Sequence, residues 1–272
     1  MLDEIKKISV FVKRDYRVIS TYKVAFSMMF VSVLLNFFYM ILFGSMFKVG
    51  IIPDLIPYGG DFISYILIGS IGWGFMWSVM SGTAGSLRME MEIGTLESIL
   101  LTPTSIYTMV IAYTVFSAIF GFVSIIVLVI FGYALFGISV FATASIFTLI
   151  FFILSIIMMA GIGMMLGGLT IWIKNIGDMV PLLQSITIFF CPVYFPITVL
   201  PYEFLQTIAK FVPFYYSIEG LRLSLIPGIP ESELIEYVLI LLGLCVIFVA
   251  IGAYSLHRGL IKAKKDGSLA FY

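Results

Sequence analysis

Polar and apolar positions do not alternate in this chain. Apolar residues come in long runs without charge, at 24–47, 62–87, 98–173, 179–202 and 237–256. A charged side chain at a bilayer centre costs roughly 2.5–3.5 kcal/mol on insertion scales, and a membrane crossing needs about 20 apolar residues. The run from Ser98 to Ile173 is too long for one crossing and suits two, with Gly137 and Ser139 at the turn. The pattern therefore predicts six spans, near 24–47, 63–86, 107–136, 141–172, 179–200 and 236–256, with both termini on one side.

Ahead of the first run the period changes. At 100° per residue, Leu2, Ile5, Ile8, Val12, Tyr16 and Ile19 fall on one face, with Lys6, Lys7, Lys13, Arg14 and Arg17 opposite. This predicts a basic amphipathic helix lying in a membrane interface. The fifth run is broken by Pro181, Pro192, Pro196 and Pro201, and Pro213 follows. Proline at membrane depth is tolerated where the freed backbone groups meet protein or water. The expectation is a span that ends early, then two short amphipathic helices dipping back, with Glu219 and Arg222 three residues apart and able to pair on the second.

Composition agrees with the pattern and sets the class as an all-α membrane protein. Hydrophobic residues make up 61% of the 272, charged residues 11%, and the mean hydropathy is +1.15, far from the soluble norm. Two cysteines, Cys191 and Cys245, both in apolar runs, read as buried free thiols rather than a disulfide framework. The first run follows a basic segment, exceeds a signal-peptide core and lacks a small-residue cleavage site, so it is read as an uncleaved span. Net charge is zero, yet twelve of the fifteen Lys and Arg lie on the side of the termini; only Lys48, Lys210 and Arg222 do not. That bias places the termini, the 88–106 segment and the Lys174 loop in the cytoplasm.

One charged island interrupts the apolar chain, Arg88-Met-Glu-Met-Glu-Ile-Gly-Thr-Leu-Glu97, and no further charge follows until Lys174. As a helix it would align Met89, Ile93, Leu96 and Leu100 in a stripe with Glu90 and Glu97 beside it, and Pro103 would end it. Such a helix could bury its stripe and offer carboxylates to a basic groove on a soluble partner.

Gly94-Thr-Leu-Glu97 with Leu-Leu-Thr-Pro103 after span two, and Phe-Pro196-Ile-Thr-Val-Leu-Pro201 … Val-Pro213-Phe … Leu-Arg222 after span five, resemble the permease subunit of a type-2 ATP-binding cassette (ABC) exporter. The likeness covers nearly the whole chain. It implies an interface helix over 1–23 (with Lys6, Lys13 and Arg17), a six-span domain over 24–256 and a basic cytoplasmic tail over 257–272. Within the domain it implies a coupling helix at 88–102 and a re-entrant outer region at 201–228, with Pro201, Pro213, Glu219 and Arg222 in it and Pro196 just ahead of it. Glu90, Glu92, Gly94, Thr95, Leu96 and Glu97 would dock a separate ATPase subunit. Met91 departs from the family pattern, standing where a basic residue is common.

The resemblance further implies a dimer of permeases, most simply a homodimer, in the plasma membrane and in contact with its lipids. ATP and Mg would be held by the partner subunit and no cofactor or metal by this chain. No Gly-x-x-x-x-Gly-Lys-Ser/Thr loop occurs in the sequence, so a P-loop must come from another polypeptide. Closure of the ATPases would drive export of a lipid-like or drug-like cargo, with a polysaccharide or glycolipid as the alternative. No nucleic-acid partner is expected.

Asn36 and Gln184 are polar at membrane depth and must face protein or a cavity. With the aromatic Phe37 and Tyr194 they are the candidate pathway-lining residues. Ser70, Gly74, Ser78, Gly82 and Ser86 recur every fourth residue, and Gly163 and Gly167 form a Gly-x-x-x-Gly pair; both patterns predict close helix packing within the subunit. An ion-coupled secondary transporter would need ionisable residues at midplane, absent from spans three and four. A membrane-embedded enzyme would need clustered His, Asp, Glu or Cys, and the single histidine, His257, stands at the end of span six.

Overall fold

The computed structural model describes residues 2–46, 53–173 and 179–265, and these are helical almost throughout. The Lys174 loop, Lys48 and the last seven residues of the expected tail lie outside the described residues. The helices are α1 (Leu2–Thr21), α2 (Lys23–Met46), α3 (Phe62–Ile93), α4 (Leu96–Leu100), α5 (Ile106–Phe136), α6 (Ile146–Ile173), α7 (Met179–Phe190), α8 (Glu203–Phe211), α9 (Pro213–Leu223) and α10 (Glu231–Lys265), with 3-10 turns at Pro53–Tyr58 and Ile197–Val199.

Among the described residues four helices, α3, α5, α6 and α10, are each long and apolar enough to cross a membrane. The first expected span appears as α2, which bends by 93° from α1 across a short break near Tyr22. The fifth is shorter than expected. Its helix α7 stops at Phe190 after 12 described residues, and the chain turns through Cys191–Phe195 to the two short helices anticipated there. Pro192 explains the stop, because it has no N–H to continue the ladder. The fourth span also begins later than expected, at Ile146. Gly137 takes a left-handed conformation (φ 70°) that caps α5, and residues 138–145 lie outside any helix, with a turn at 140–143.

Local signals account for the other boundaries. Asp61 accepts hydrogen bonds from the amides of Ile63 and Ser64 to start α3, Ser105 accepts from Tyr107 to start α5, and Pro213 opens α9 at a position where its missing N–H costs nothing.

The expected coupling helix over 88–102 is not one helix. Residues 88–93 are the last turns of α3, Gly94 (φ 77°) breaks the axis, and α4 is a single short turn. The amide of Gly94 donates to the Met91 carbonyl and that of Thr95 to the Glu90 carbonyl, so the helix end is satisfied as it turns. Consequently Met89, Ile93, Leu96 and Leu100 form no continuous stripe. Met89 and Ile93 are exposed, whereas Leu96 is buried.

The bundle is built around α3, α5 and α6, with α10 against α6 along its length. That seam is set by four glycines at seven-residue spacing: Gly161 and Gly168 on α6, Gly252 and Gly259 on α10. A Cβ on Gly252 would fall 2.2 Å from the Gly161 carbonyl oxygen, so the backbones touch where side chains would normally separate them. Gly163 and Gly167 press α6 onto Thr83 and Leu87 of α3, the packing within the subunit that their spacing predicts. The main core includes Phe37, Phe75, Met80, Phe151 and Ile218. A second cluster, Leu87, Met91, Leu96, Ile106 and Met109 with Phe11 packed on it, sits at the α4 end. Outward faces carry Ile126, Ile130, Leu149, Leu239 and Val246, all exposed, as apolar solvent requires.

Candidate functional site

The α3–α4 corner takes its shape from the Gly94-Thr-Leu-Glu97 residues one by one. Gly94 supplies the positive φ that most residues would pay about 1 kcal/mol or more to adopt. Thr95 closes the turn with its amide and donates its hydroxyl to the Glu90 carboxylate. Leu96, 1% exposed, anchors α4 in the second core cluster. Glu97 is exposed. Glu92 is exposed as well and pairs with Arg88 at 2.6 Å, one helical turn away.

Glu90 is placed differently from the expectation of a carboxylate offered to a partner. Its side chain is 4% exposed, and its partners belong to this chain: the Arg14 guanidinium at 2.6 Å, the Tyr113 hydroxyl and the Thr95 hydroxyl. Arg14 also donates to Tyr113 and Asp15 and lies over the Phe11 and Tyr113 rings. One buried carboxylate thus ties α1, the end of α3, the start of α4 and α5 together.

Arg14 and Lys7, expected on the free basic face of α1, therefore point into protein. Lys7 pairs with Glu4 and donates to the Pro103 carbonyl at 2.8 Å, while Glu4 accepts from Thr108. Those hydrogen bonds from Lys7 and Thr108 hold the Glu4 carboxyl below its ordinary pKa. Burial pushes that of Asp15 up, Arg14 opposing. Lys6, Lys13 and Arg17 are exposed as expected, but so are Ile5 and Tyr16 of the apolar face, because α1 is rolled to set Phe11, Arg14 and Asp15 against the bundle. Amphipathic spacing fixes which residues share a face; the roll of the helix depends on partners elsewhere in the chain.

Beside this corner runs a cavity of about 650 Å³ between α2, α3, α5 and α7. All four candidate pathway residues line it: Asn36, Phe37, Gln184 and Tyr194. The Tyr194 hydroxyl donates to Asn36 Oδ1 at 3.4 Å. The serine and glycine stripe of α3, expected to pack closely, does so in part and also forms one wall. Ser70, Gly74, Ser78 and Gly82 line the cavity, while Ser78 and Gly82 also make the expected close contact, both with Ser117 of α5. Trp73 and Trp77, stacked at 5.6 Å, complete that wall and were not singled out from the sequence; their spacing of four beside Ser70 and Gly74 was the available signal. A second groove of about 550 Å³, between α1, α3 and α5, shares Ile19, Gly82, Phe116 and Ser117 with the cavity and reaches Arg14, Asp15 and Glu90.

At the opposite end, Glu219 and Arg222 form the anticipated pair at 3.0 Å, but wholly buried. Arg222 also donates to the Pro192 carbonyl at 2.6 Å and stands 3.7 Å over the Tyr65 ring, and Glu219 accepts from Tyr58. The pair joins α9 to α3, to the turn after α7 and to the 3-10 turn at Pro53–Tyr58. Pro196 caps the second 3-10 turn and Pro213 opens α9, while Pro201 lies in the bend before α8. Among the described residues no three His, Cys, Asp or Glu side chains gather to hold a metal ion.

An all-helical bundle with several membrane-length apolar helices is that of a multi-pass membrane protein. The chain belongs to the ABC-2 type transporter family, whose model matches residues 7–226. It is accordingly an ABC-type transmembrane permease component, and membership implies partnership with an ABC ATPase subunit. Comparison with curated proteins returns no match.

Proposed function

We propose that the chain is the permease of an ATP-driven exporter and that the outer face of the α3–α4 corner is where a separate ATPase subunit docks. The observation that carries this reading is a corner, hydrogen-bonded and buried at its base, with a mixed apolar and acidic exterior. Leu101 is 84% exposed, Ile93 61% and Met89 49%, and Glu92 and Glu97 stand among them, while Leu96 and Glu90 hold the base from within. Exposed large apolar residues rimmed by charge suit a protein interface.

In this reading the termini and the corner face the cytoplasm of the plasma membrane, as the distribution of Lys and Arg supports. Six crossings are made, by α2, α3, α5, α6, α7 and α10, with α8 and α9 as the re-entrant region. The exposed apolar face of α8, formed by Phe204, Ile208 and Phe211, suits lipid contact. Two copies enclose the pathway. The ATPase binds ATP and Mg, and its closure moves the corner. Glu90 and Arg14 carry that movement to α1 and α5, and the cavity lined by Asn36 and Tyr194 passes a lipid-like or drug-like cargo.

The test is co-purification of this chain with its P-loop ATPase and measurement of coupled ATPase activity in reconstituted membranes. Glu97→Arg combined with Ile93→Asp is expected to lower both at least tenfold with thermal unfolding unchanged. Wild-type assembly and coupling by that variant would refute docking at the corner.

A further inference from the structure

The cavity between α2, α3, α5 and α7 has a chemical character that narrows what it can hold. Among the described residues no Asp, Glu, Lys, Arg or His lines it. Charged groups close by are engaged elsewhere: Arg14, Asp15 and Glu90 belong to the adjoining groove beyond the shared wall at Ile19, Gly82, Phe116 and Ser117, and Arg222, behind Gly69, is paired with Glu219 and donates to the Pro192 carbonyl. An ion entering would leave its hydration shell and meet no free counter-charge on the lining, which strongly disfavours it. A neutral hydroxyl or amide loses only hydrogen bonds, and those can be replaced.

The groups able to replace them are not spread evenly. Midway along the cavity the hydroxyls are already engaged. Ser78 donates to the Ser117 carbonyl at 3.1 Å, Ser81 to that of Trp77 at 2.7 Å and Ser124 to that of Phe120 at 3.3 Å. Toward the α9 end, Ser70 Oγ is buried without a hydrogen-bond partner, and the Tyr194–Asn36 contact is near the limit of a hydrogen bond. A polar head is therefore met at Ser70, Asn36 and Tyr194. The stacked Trp73 and Trp77 and the ring of Phe120 offer a flat apolar wall to whatever follows it. From Ser70 to Gly82 that wall runs for about 18 Å at the helical rise, the reach of a medium hydrocarbon chain. The volume of about 650 Å³ falls within the range of small-molecule sites.

We propose that this cavity binds an uncharged amphipathic molecule, its hydroxyl- or amide-bearing head at Ser70, Asn36 and Tyr194 and its apolar body along Trp73, Trp77 and Phe120. The proposal rests on the permease reading and names the cargo class of the same cavity. It excludes phosphate-bearing and ammonium-bearing amphipaths as occupants.

Gly74 makes the test clean. A Cβ there meets nothing within 4 Å, so a larger side chain enters the cavity without striking the fold, and a helical glycine gains propensity on replacement. The full chain carrying Trp172→Phe is placed in lipid nanodiscs, leaving Trp73 and Trp77 as the only indoles of the three. Their fluorescence is quenched with three probes sharing one dibrominated C18 chain: a monoacylglycerol, an alkylammonium and an alkyl phosphate. The monoacylglycerol is expected to quench saturably and at least tenfold more tightly than either ion. Gly74→Leu should weaken it at least tenfold, and Gly74→Lys should admit the alkyl phosphate.

Equal binding of the three probes, tighter binding of an ion, or indifference to Gly74→Leu overturns the proposal. The permease reading is separated by ATPase recruitment, which none of these measurements uses. Selective monoacylglycerol binding without recruitment defeats that reading alone, and recruitment with unselective binding defeats the cargo class alone.

Discussion

Arg14 of α1 and Glu90 near the end of α3 form an ion pair of 2.6 Å whose acidic side is 4% exposed and whose basic side is 39% exposed. The carboxylate is thus inside the protein and its counter-charge straddles the surface. Glu90→Ala would leave Arg14 and Tyr113 with an empty acceptor site. Because Arg14 keeps contact with water, the expected cost is about 2 kcal/mol, below that of breaking a fully buried pair. Thermal unfolding of the solubilised protein should record a fall of several degrees. Thr95→Val, removing the hydroxyl bond to Glu90, should cost about 1 kcal/mol, and Tyr113→Phe, which loses its bonds to both Glu90 and Arg14, about 1–2 kcal/mol. Wild-type stability in Glu90→Ala would show that the pair contributes nothing net.

Gly94 holds φ at 77°, and nothing lies within 4 Å of a Cβ built on it. The obstacle to substitution is therefore conformational alone. Gly94→Ala should destabilise by about 1 kcal/mol, and Gly94→Asn by less, since asparagine visits that region more readily. An unfolding series on the two variants decides it, and equal stability of both with wild type would count against the cap.

The α6–α10 seam is a different kind of glycine site, limited by space. Gly252→Leu would drive side-chain atoms into the Gly161 carbonyl, where even a Cβ would sit at 2.2 Å. Overpacking costs typically 1–3 kcal/mol, more where the obstacle is backbone, so loss of folded protein is expected by size-exclusion chromatography. Gly85→Ala, whose added Cβ meets nothing within 4 Å, is the control and should be neutral or slightly stabilising.

Arg222 is 1% exposed and Glu219 4%. Arg222→Ala strands a buried carboxylate and should cost about 3–5 kcal/mol. The double variant Arg222→Met, Glu219→Gln removes both charges and should be milder than the single one. Urea or thermal unfolding of the three proteins measures the order, and a double variant worse than the single would mean that charge pairing is not what holds this end together.

Much of the fold was legible because its main signals are local. Uncharged runs located the long helices, Gly137 the turn after α5, and the prolines the break after α7 with two short helices beyond. The corner was legible in composition but not in shape. Treating 88–102 as one helix put Met89, Ile93 and Leu96 on one face, whereas a single left-handed residue at Gly94 turned Leu96 inward and left Met89 and Ile93 outside. The serine and glycine stripe of α3 was visible as a pattern, yet small residues line a cavity or a tight contact equally well. Asn36, Phe37, Gln184 and Tyr194 were singled out as isolated oddities of polarity or ring content, and nothing in their separation along the chain said that they would meet.

What the sequence by itself determined is the class: an apolar, helical, multi-span chain with one charged island. The cost of placing charge in an apolar medium acts residue by residue and can be read in order along the chain. Only the tertiary structure decided that Glu90 turns inward to Arg14, that α1 rolls its arginine toward the bundle, and that residues 36, 70, 184 and 194 share one neutral cavity. Those outcomes depend on the rotation of each helix about its axis, and that rotation is set by partners far away in the sequence.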